Sequence, residues 1–290
     1  MNRRSRRTDA ELDRVHEALA AHGLRVAEFH AGADEAACRR AIKRAVKDGA
    51  PEIVVGGGDG TMTHAVGLLA HRKCVLGVLP LGTGNSFAQT LGLPGNDVDA
   101  AVATIARGHV AQVDLGIVNG TYFANFATIG FSSRIAAATP RPLKSVLGSL
   151  AYALAGLPML LRARAFDATI RWPGGRLALH TQDIIVANGR YFGATALSAH
   201  ATIADDRLTL FTTADASRLG TVRTYLALGR GTQTHLRDAH LVRARRFTIR
   251  TRKRQPISID GSLLEKTPAR FALAPGALRV FVPETGVARA

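Results

Sequence analysis

Ile53-Val54-Val55-Gly56-Gly57-Gly58-Asp59-Gly60-Thr61 is the stretch on which the reading of this chain turns. Its first three residues form a short all-apolar strand of the kind buried on both faces of a parallel sheet. The glycines that follow let the backbone approach phosphate oxygens closely and adopt dihedrals that other residues resist. The pattern then predicts a helix over Thr63–Ala70, whose N-terminal N–H groups would face an anion. An Asp inside such a loop opposes phosphate unless a cation stands between them, so Asp59 points to Mg²⁺. Thr61 can donate its hydroxyl to a ligand or cap the helix. A tight glycine turn with an N-cap is the bland alternative. It weakens because the loop sits at the carboxyl end of a strand, where open α/β sheets bind ligands.

The same layout recurs one unit later. Val75–Leu79 reads as a second buried strand, and Pro80-Leu81-Gly82-Thr83-Gly84-Asn85-Ser86 as its glycine loop, opening a helix near Ser86–Leu91. Two such loops on adjoining strands would form one cleft, with Thr83 and Asn85 supplying neutral hydrogen-bonding groups for a nucleotide. Neither loop is a Walker motif, since no Gly-Lys-Ser/Thr follows, and the Rossmann spacing is absent. Upstream, Asp9–Ala21 and Glu35–Asp48 carry apolar residues at helical spacing, and Leu24–Phe29 reads as a short strand between them. Strand, glycine loop and helix in succession make an open α/β sheet.

Beyond about Val113 the pattern changes. Leu115–Val118, Tyr122–Phe126, Ala168–Trp172, Leu177–His180, Asp183–Ala187, Arg207–Thr212, Leu241–Ile249 and Ile257–Ile259 are strand-like, with turn signals such as Asn119-Gly120 and Asn188-Gly189 between several of them. A helix is expected near Leu219–Leu228. The expected fold is therefore α/β with two domains: an open nucleotide-binding domain over 1–113, joined by a tail at about 280–290, and a β-rich domain over 114–279.

Among 290 residues, 38 Lys and Arg stand against 22 Asp and Glu, a formal charge of +16 that favours an anionic partner. Nucleic acid is disfavoured, because aromatic residues make up only 6% and no stacking motif is present. Cys38 and Cys74 lie far apart, outside metal-ligand spacing and with no disulfide framework, which fits a reducing cytoplasm. Met1–Arg7 carries four arginines without an apolar run behind it. Val146–Leu161 is apolar but shorter than the ~20 residues a spanning helix needs. It would dip into the interface or line a path for an acyl chain. None of the ten histidines forms a metal-type pair on a helix face. His64 could face either solvent or phosphate. The basic run Arg243, Arg245, Arg246, Arg250, Arg252, Lys253 and Arg254 is either a solvated strand face or a contact for anionic headgroups.

These motifs resemble the diacylglycerol kinase catalytic-domain family, with its bacterial diacylglycerol and phosphatidylglycerol-type lipid kinases and its sphingosine kinase relatives. The resemblance is carried, in family order, by Val54–Thr61, Leu79–Ala88, Val113-Asp114-Leu115-Gly116, Asn188–Gly193, Asp205-Asp206, Ile259-Asp260-Gly261 and Val280–Pro283. It implies an ATP-binding α/β domain akin to NAD kinase, a β-sandwich-like lipid domain, and a C-terminal tail that returns to the first domain. Carried over, Gly57, Gly58, Asp59, Gly60, Thr61, Met62 and Thr63 would contact ATP, with Gly82, Thr83, Gly84 and Asn85 in the second loop. Asp59 and Asp114 would organise Mg²⁺ and its waters. Asp206 would hold a structural cation with the carbonyls of Ile203 and Leu208, although Asp205-Asp206 also reads as an ordinary acidic turn.

The departures from the family are informative. Asn2-Arg3-Arg4-Ser5-Arg6 stands where the family has an Asn-Pro-x-Ser-Gly loop led by a strand, and Gly193-Ala194-Thr195 replaces three glycines. The family's Asp-Gly-Glu, whose Glu is the base for the lipid hydroxyl, is here Asp260-Gly261-Ser262. Asp260 ranks first as a substitute base, Glu265 second, and neither third. The implied function is transfer of the γ-phosphoryl group of MgATP to the hydroxyl of a membrane lipid, at the inner face of the membrane, with a homodimer left open. A catalytically impaired binding relative and a NAD-kinase-like enzyme are the rivals.

Overall fold

The computed structural model describes residues 8–31, 34–82, 84–95, 97–138, 164–192, 195–198, 201–284 and 287. Thr83, Val146–Leu161, Asn2–Arg6 and Gly193-Ala194, all singled out above, lie outside these residues.

Two helices lead in. α1 (Thr8–Ala21) buries Leu12, Val15, Ala18 and Leu19 at helical spacing. α2 (Glu35–Lys47) is capped by Asp34, whose carboxylate accepts from Ala37 N at 2.8 Å, and fully buries Ile42. β1 (Glu52–Gly57) and β2 (Val75–Pro80) then pair in parallel, with α3 (Asp59–Leu69) between them. α4 (Ser86–Thr90) and α5 (Val98–Arg107) follow. α5 has a clear signature that the sequence reading passed over: Asp97 caps it, Val98, Ala101, Val102 and Ile105 share its buried face, and Gly108 ends it in the left-handed region.

Two strand expectations change in the first half. Leu24–Phe29 forms no strand, and Val26 and Phe29 are exposed. An extended segment needs a neighbour for its N–H and C=O groups, and among the described residues β1 pairs only with β2. Among the described residues β1 is therefore the edge of its sheet, and Val54 is 41% exposed where burial on both faces was expected, whereas all six residues of β2 are buried.

The remaining strands are β3 (Val110–Val118), β4 (Thr121–Phe123), β5 (Phe126–Gly130), β6 (Phe166–Trp172), β7 (Gly175–Thr181), β8 (Asp183–Asn188), β9 (Tyr191–Phe192), β10 (Thr195–Ala196), β11 (Leu208–Thr213), β12 (Ala239–Ala244), β13 (Arg246–Thr251), β14 (Pro256–Ile259), β15 (Ser262–Lys266) and β16 (Ala269–Phe281). Among the described residues, α6 (Phe131–Ala138) and α7 (Arg218–Arg230) are the α-helices of this half. One sheet has the order β1-β2-β16-β13-β6-β7, with β3 paired to β16 and β4. A second is antiparallel, in the order β12-β11-β8-β5-β14-β15, and β9 and β10 pair as a separate two-stranded sheet. Ile129, Ile184, Val186, Leu208 and Leu210 of the second sheet pack against Ile170, Phe247, Ile249 and Phe271 of the first, giving a sandwich core.

β16 ties the halves together. Its register breaks between Ala274 and Leu278. Before the break it pairs with β13, and beyond it Val280 reaches Leu76 of β2. Leu241–Ile249, expected as one strand, is two: β12 and β13 lie in different sheets and Arg245 makes the crossing.

Candidate functional site

The parallel register sets Gly57 opposite Pro80, and Leu81 N donates to Gly57 O at 3.2 Å, so the two glycine loops leave the sheet side by side. They touch. A Cβ on Gly82 would lie 2.3 Å from Gly58 Cα, and one on Gly84 would lie 2.9 Å from Asp59 Oδ2. Backbone approach this close tolerates no side chain. Gly58 is the N-cap of α3, and no side chain caps that terminus. Thr61 N and Met62 N already donate to Gly58 O, which leaves the N–H groups of Asp59 and Gly60 as the ones that suit an anion.

Asp59, first in α3, reaches across to the second loop. Its Oδ2 accepts from Ser86 Oγ at 3.2 Å and its Oδ1 from Phe87 N at 3.2 Å. Burial pushes its pKa up, opposed by these hydrogen bonds. Ser86 and Phe87 N are partners that the sequence reading did not identify. Asn85, at φ 48°, is spent on the loop itself: Oδ1 accepts from Gly82 N at 2.9 Å, and Nδ2 donates to the carbonyls of Gly82, at 2.8 Å, and Gly95. Met62 points into the core and could meet a ligand only through its backbone. Thr61 packs its side chain over Gly57.

Asp260 joins this loop to the second half of the chain. Ile259 pairs with Ser262, so Asp260-Gly261 is a two-residue hairpin turn, with φ of 45° and 81°. The Asp260 carboxylate faces inward and is fully engaged. Oδ1 accepts from Asn125 N at 3.2 Å and Phe126 N at 2.9 Å, and Oδ2 from Ala124 N at 3.3 Å and Thr63 Oγ1 at 2.7 Å. The Thr63 hydroxyl also lies 2.9 Å from Asp59 O. Burial pushes the Asp260 pKa up to about 6; the Phe126 and Thr63 hydrogen bonds lower it, and the Asp59 charge raises it again.

The other base candidates are not engaged as Asp260 is. Ser262 and Glu265 are exposed on the edge strand β15. The Glu265 carboxylate is held by Asn119 Nδ2 at 2.5 Å, at the β3–β4 turn, and does not swing inward. Asn119, unmarked in the sequence except as a turn signal, also donates to Pro268 O at 3.0 Å.

Asp114 is buried in β3, its carboxylate taken by backbone donors: Asp206 N at 2.9 Å and Gly276 N at 2.7 Å, the latter in the β16 register break. Asn188 Nδ2 bridges the carbonyls of Asp114 and Ala124, linking this clamp to the turn that holds Asp260.

The acidic turn is strained and ion-paired. Asp206 sits at φ 60°, with Oδ2 2.6 Å from Arg245 Nη2, and Asp205 pairs with Arg243. Asp206 Oδ1 is buried and has no hydrogen-bond partner, while Ile203 O accepts Asp114 N at 2.8 Å. An orphaned carboxylate oxygen in a turn of backbone carbonyls fits a hard, oxygen-liking cation. Among the described residues no three His, Cys, Asp or Glu side chains cluster as metal ligands, so carbonyls such as those of Ile203 and Leu208 would have to complete the shell.

The basic run expected as one face is dispersed. Arg243 and Arg245 serve the acidic turn, and Arg252 lies 4.0 Å from Asp167. His64 Nε2 is 2.7 Å from Glu35 Oε1, tying α3 to α2.

Comparisons with known proteins agree with this geometry. Residues 1–118 match the diacylglycerol kinase catalytic domain, and residues 125–282 match the YegS C-terminal NAD kinase beta sandwich-like domain. A probable lipid kinase, YegS-like, from Pseudomonas aeruginosa is 35% identical over 84% of this chain and 81% of its own. A diacylglycerol kinase from Bacillus subtilis is 30% identical over 80% of this chain and 78% of its own. A crystal structure from Bacillus anthracis str. Sterne superposes with a TM-score of 0.81 at 25% identity, covering 96% of this chain and 91% of that one. By sequence, by domain order and by fold, the chain belongs to the diacylglycerol kinase and YegS-like lipid kinase family.

Proposed function

We propose that the protein transfers the γ-phosphoryl group of MgATP to the hydroxyl of a membrane lipid such as diacylglycerol. The observation that carries this reading is the contact between the two glycine loops at Gly58 and Gly82, with Asp59 bonded to Ser86 and Phe87 across them. Gly57, Gly58, Gly60 and Thr61 would receive the phosphates at the uncapped start of α3, with Gly82 and Gly84 on the opposite wall. Asp59 would face Mg²⁺, which when bound would neutralise phosphate charge. Asp114, through its grip on Asp206 and Gly276, ties β3 to the acidic turn and to the β16 register break. A structural cation at Asp206 Oδ1, with Ile203 and Leu208, would stiffen the same turn.

Asp260 takes a positioning role in this reading. Both of its oxygens already accept two hydrogen bonds, which leaves little capacity to receive a proton from substrate. Ser262 offers a hydroxyl where the relatives' motif has a carboxylate, so transfer rests on alignment and charge neutralisation, at a reduced rate. General-base catalysis is worth on the order of 10²–10⁴-fold, and Ser262→Glu should raise kcat within that range.

The test is transfer of labelled phosphate from ATP to a panel of lipids in mixed micelles, with NAD as a control acceptor. Product on a glycerolipid, increased by Ser262→Glu, supports the reading. MgATP binding without product on any lipid, for wild type and variant alike, overturns it. Product on NAD alone would reassign the enzyme.

A further inference from the structure

α7 carries a surface that the phosphotransfer reading does not use. Its inner face, Gly220, Thr221, Thr224, Ala227 and Leu228, is buried. Its outer face is apolar where a soluble helix would be polar: Leu219 is 76% and Leu226 53% exposed, and half-buried Val222 lies between them. The spacing i, i+3, i+7 sets these three on one stripe. Exposed leucines scattered singly need no explanation; an aligned set does. At 100° per residue, Arg218 flanks the stripe on one side, and Arg223 and Arg230 flank it on the other. The helix has no acidic residue. Arg223 is 2.7 Å from Asp215, whereas among the described residues neither Arg218 nor Arg230 has a carboxylate partner.

An apolar stripe between guanidinium rows is the pattern of a helix lying in a bilayer interface. The leucines would enter the acyl boundary, and the arginines would stay level with anionic headgroups. The back of α7 is anchored for such a task. Tyr225 OH donates to the buried Asp183 at 2.5 Å, and its ring packs edge-on to Phe131 of α6 at 5.6 Å. Docking would thus bear on a helix fixed to the β8 sheet and to α6.

We propose that the outer face of α7 is a docking surface for an anionic lipid bilayer. It deepens the membrane-lipid reading above, but its test does not depend on turnover. Sedimentation with vesicles of phosphatidylglycerol and phosphatidylcholine, against phosphatidylcholine alone, measures it directly. Wild type should bind the anionic vesicles, and added salt should weaken that binding. Leu219→Glu/Leu226→Glu should lower the partition about tenfold or more, with an unchanged melting temperature because both positions are exposed. Arg218→Gln/Arg230→Gln should lower binding to anionic vesicles only.

Transfer in detergent mixed micelles should be unchanged in both variants, since no bilayer is needed there. Loss of micelle activity in wild type, with vesicle binding intact, would sink the kinase reading and leave the docking surface standing. Wild type that stays in the supernatant, or a Leu219→Glu/Leu226→Glu variant that binds as wild type does, overturns the surface. So does a dimer that this variant splits in the absence of vesicle binding, because the stripe would then face a second copy.

Discussion

Asp260 and Asp183 are buried carboxyls in the second half of the chain, both pushed up to about 6 chiefly by burial. Their surroundings differ in kind. Asp260 is held by three backbone N–H groups of the β4–β5 link and by Thr63, which comes from the helix behind the first glycine loop. Asp183 is held by Ser132, through both N and Oγ, and by the Tyr225 hydroxyl, all within the second half. A shifted carboxyl is therefore no mark of a reactive site in itself. Asp260 gains functional weight because it spans the two halves, and Asp183 fastens two helices to one sheet. The Tyr225 hydroxyl is correspondingly pushed up, first by burial and then by the Asp183 charge.

Removing each carboxylate tests that division. Asp260→Ala strands three backbone donors, each at a cost of about 1–3 kcal/mol, and should abolish nearly all lipid phosphorylation. Asp183→Ala should cost less, about 1–3 kcal/mol, because Ser132 Oγ and Tyr225 OH already touch and can pair with each other. Activity per folded molecule should persist. Denaturant melts beside micelle assays separate the two outcomes, and an inactive but stable Asp183→Ala protein would break the comparison.

The pH dependence sharpens it. An Asp183 carboxyl pushed up to about 6 when folded, against an ordinary value of 3.8, keeps its proton longer in the folded state. Its contribution to stability is therefore greatest below about pH 4 and drains away as pH rises through 6. Asp183→Asn has no such drain. The stability difference between variant and wild type should move in the variant's favour by on the order of 2–3 kcal/mol between pH 4 and pH 7, read from urea melts across that range. A flat difference would show that the hydroxyl donors hold the carboxylate charged throughout.

What the sequence disclosed follows from how local each signal is. The Asp59 loop is legible because glycines, strand and helix start are contiguous. The Asp260-Gly261 hairpin was equally legible, since Asp-Gly between Ile259 and Ser262 is a strong hairpin signal, yet it was read only as part of a catalytic motif. Asp183 was silent: its partners Ser132 and Tyr225 are 51 and 42 residues away, and no spacing rule joins them. β16 is absent from the strands expected of the sequence: Pro275-Gly276 interrupts its apolar run, and in the structure that pair lies in the register break that admits Asp114. Leu24–Phe29 failed the other way. Apolar content suggested a strand, but a strand is made by its neighbour.

The loop contact itself can be tested with one methyl group. Gly82→Ala places a Cβ 2.3 Å from Gly58 Cα and 2.8 Å from Asn85 Oδ1, so one loop must shift. Overpacking of this kind costs about 1–3 kcal/mol. Because the loops frame the nucleotide site, the loss should appear mainly as a raised KM for ATP. Gly49→Ala, where nothing lies within 4 Å but φ is 78°, gives a control for backbone strain without a clash. If both variants raise KM alike, the loop contact is not what shapes the site.

The smallest change carries the finest distinction. Thr63→Val keeps the volume of the side chain and removes the one hydroxyl that reaches Asp260 from the first half. Three backbone donors remain, so the stability cost should be about 1 kcal/mol. With that donor gone, the Asp260 pKa should rise further. If Asp260 works by aligning the halves, kcat should fall with KM for ATP unchanged, and Thr63→Ser should restore it by returning the hydroxyl. If Asp260 instead accepts the substrate proton, a higher pKa moves the acid limb of the kcat profile toward neutral pH, and the loss in Thr63→Val is recovered at alkaline pH. An unmoved profile with a uniform loss assigns Asp260 to positioning, because a proton acceptor cannot change its pKa without moving that limb.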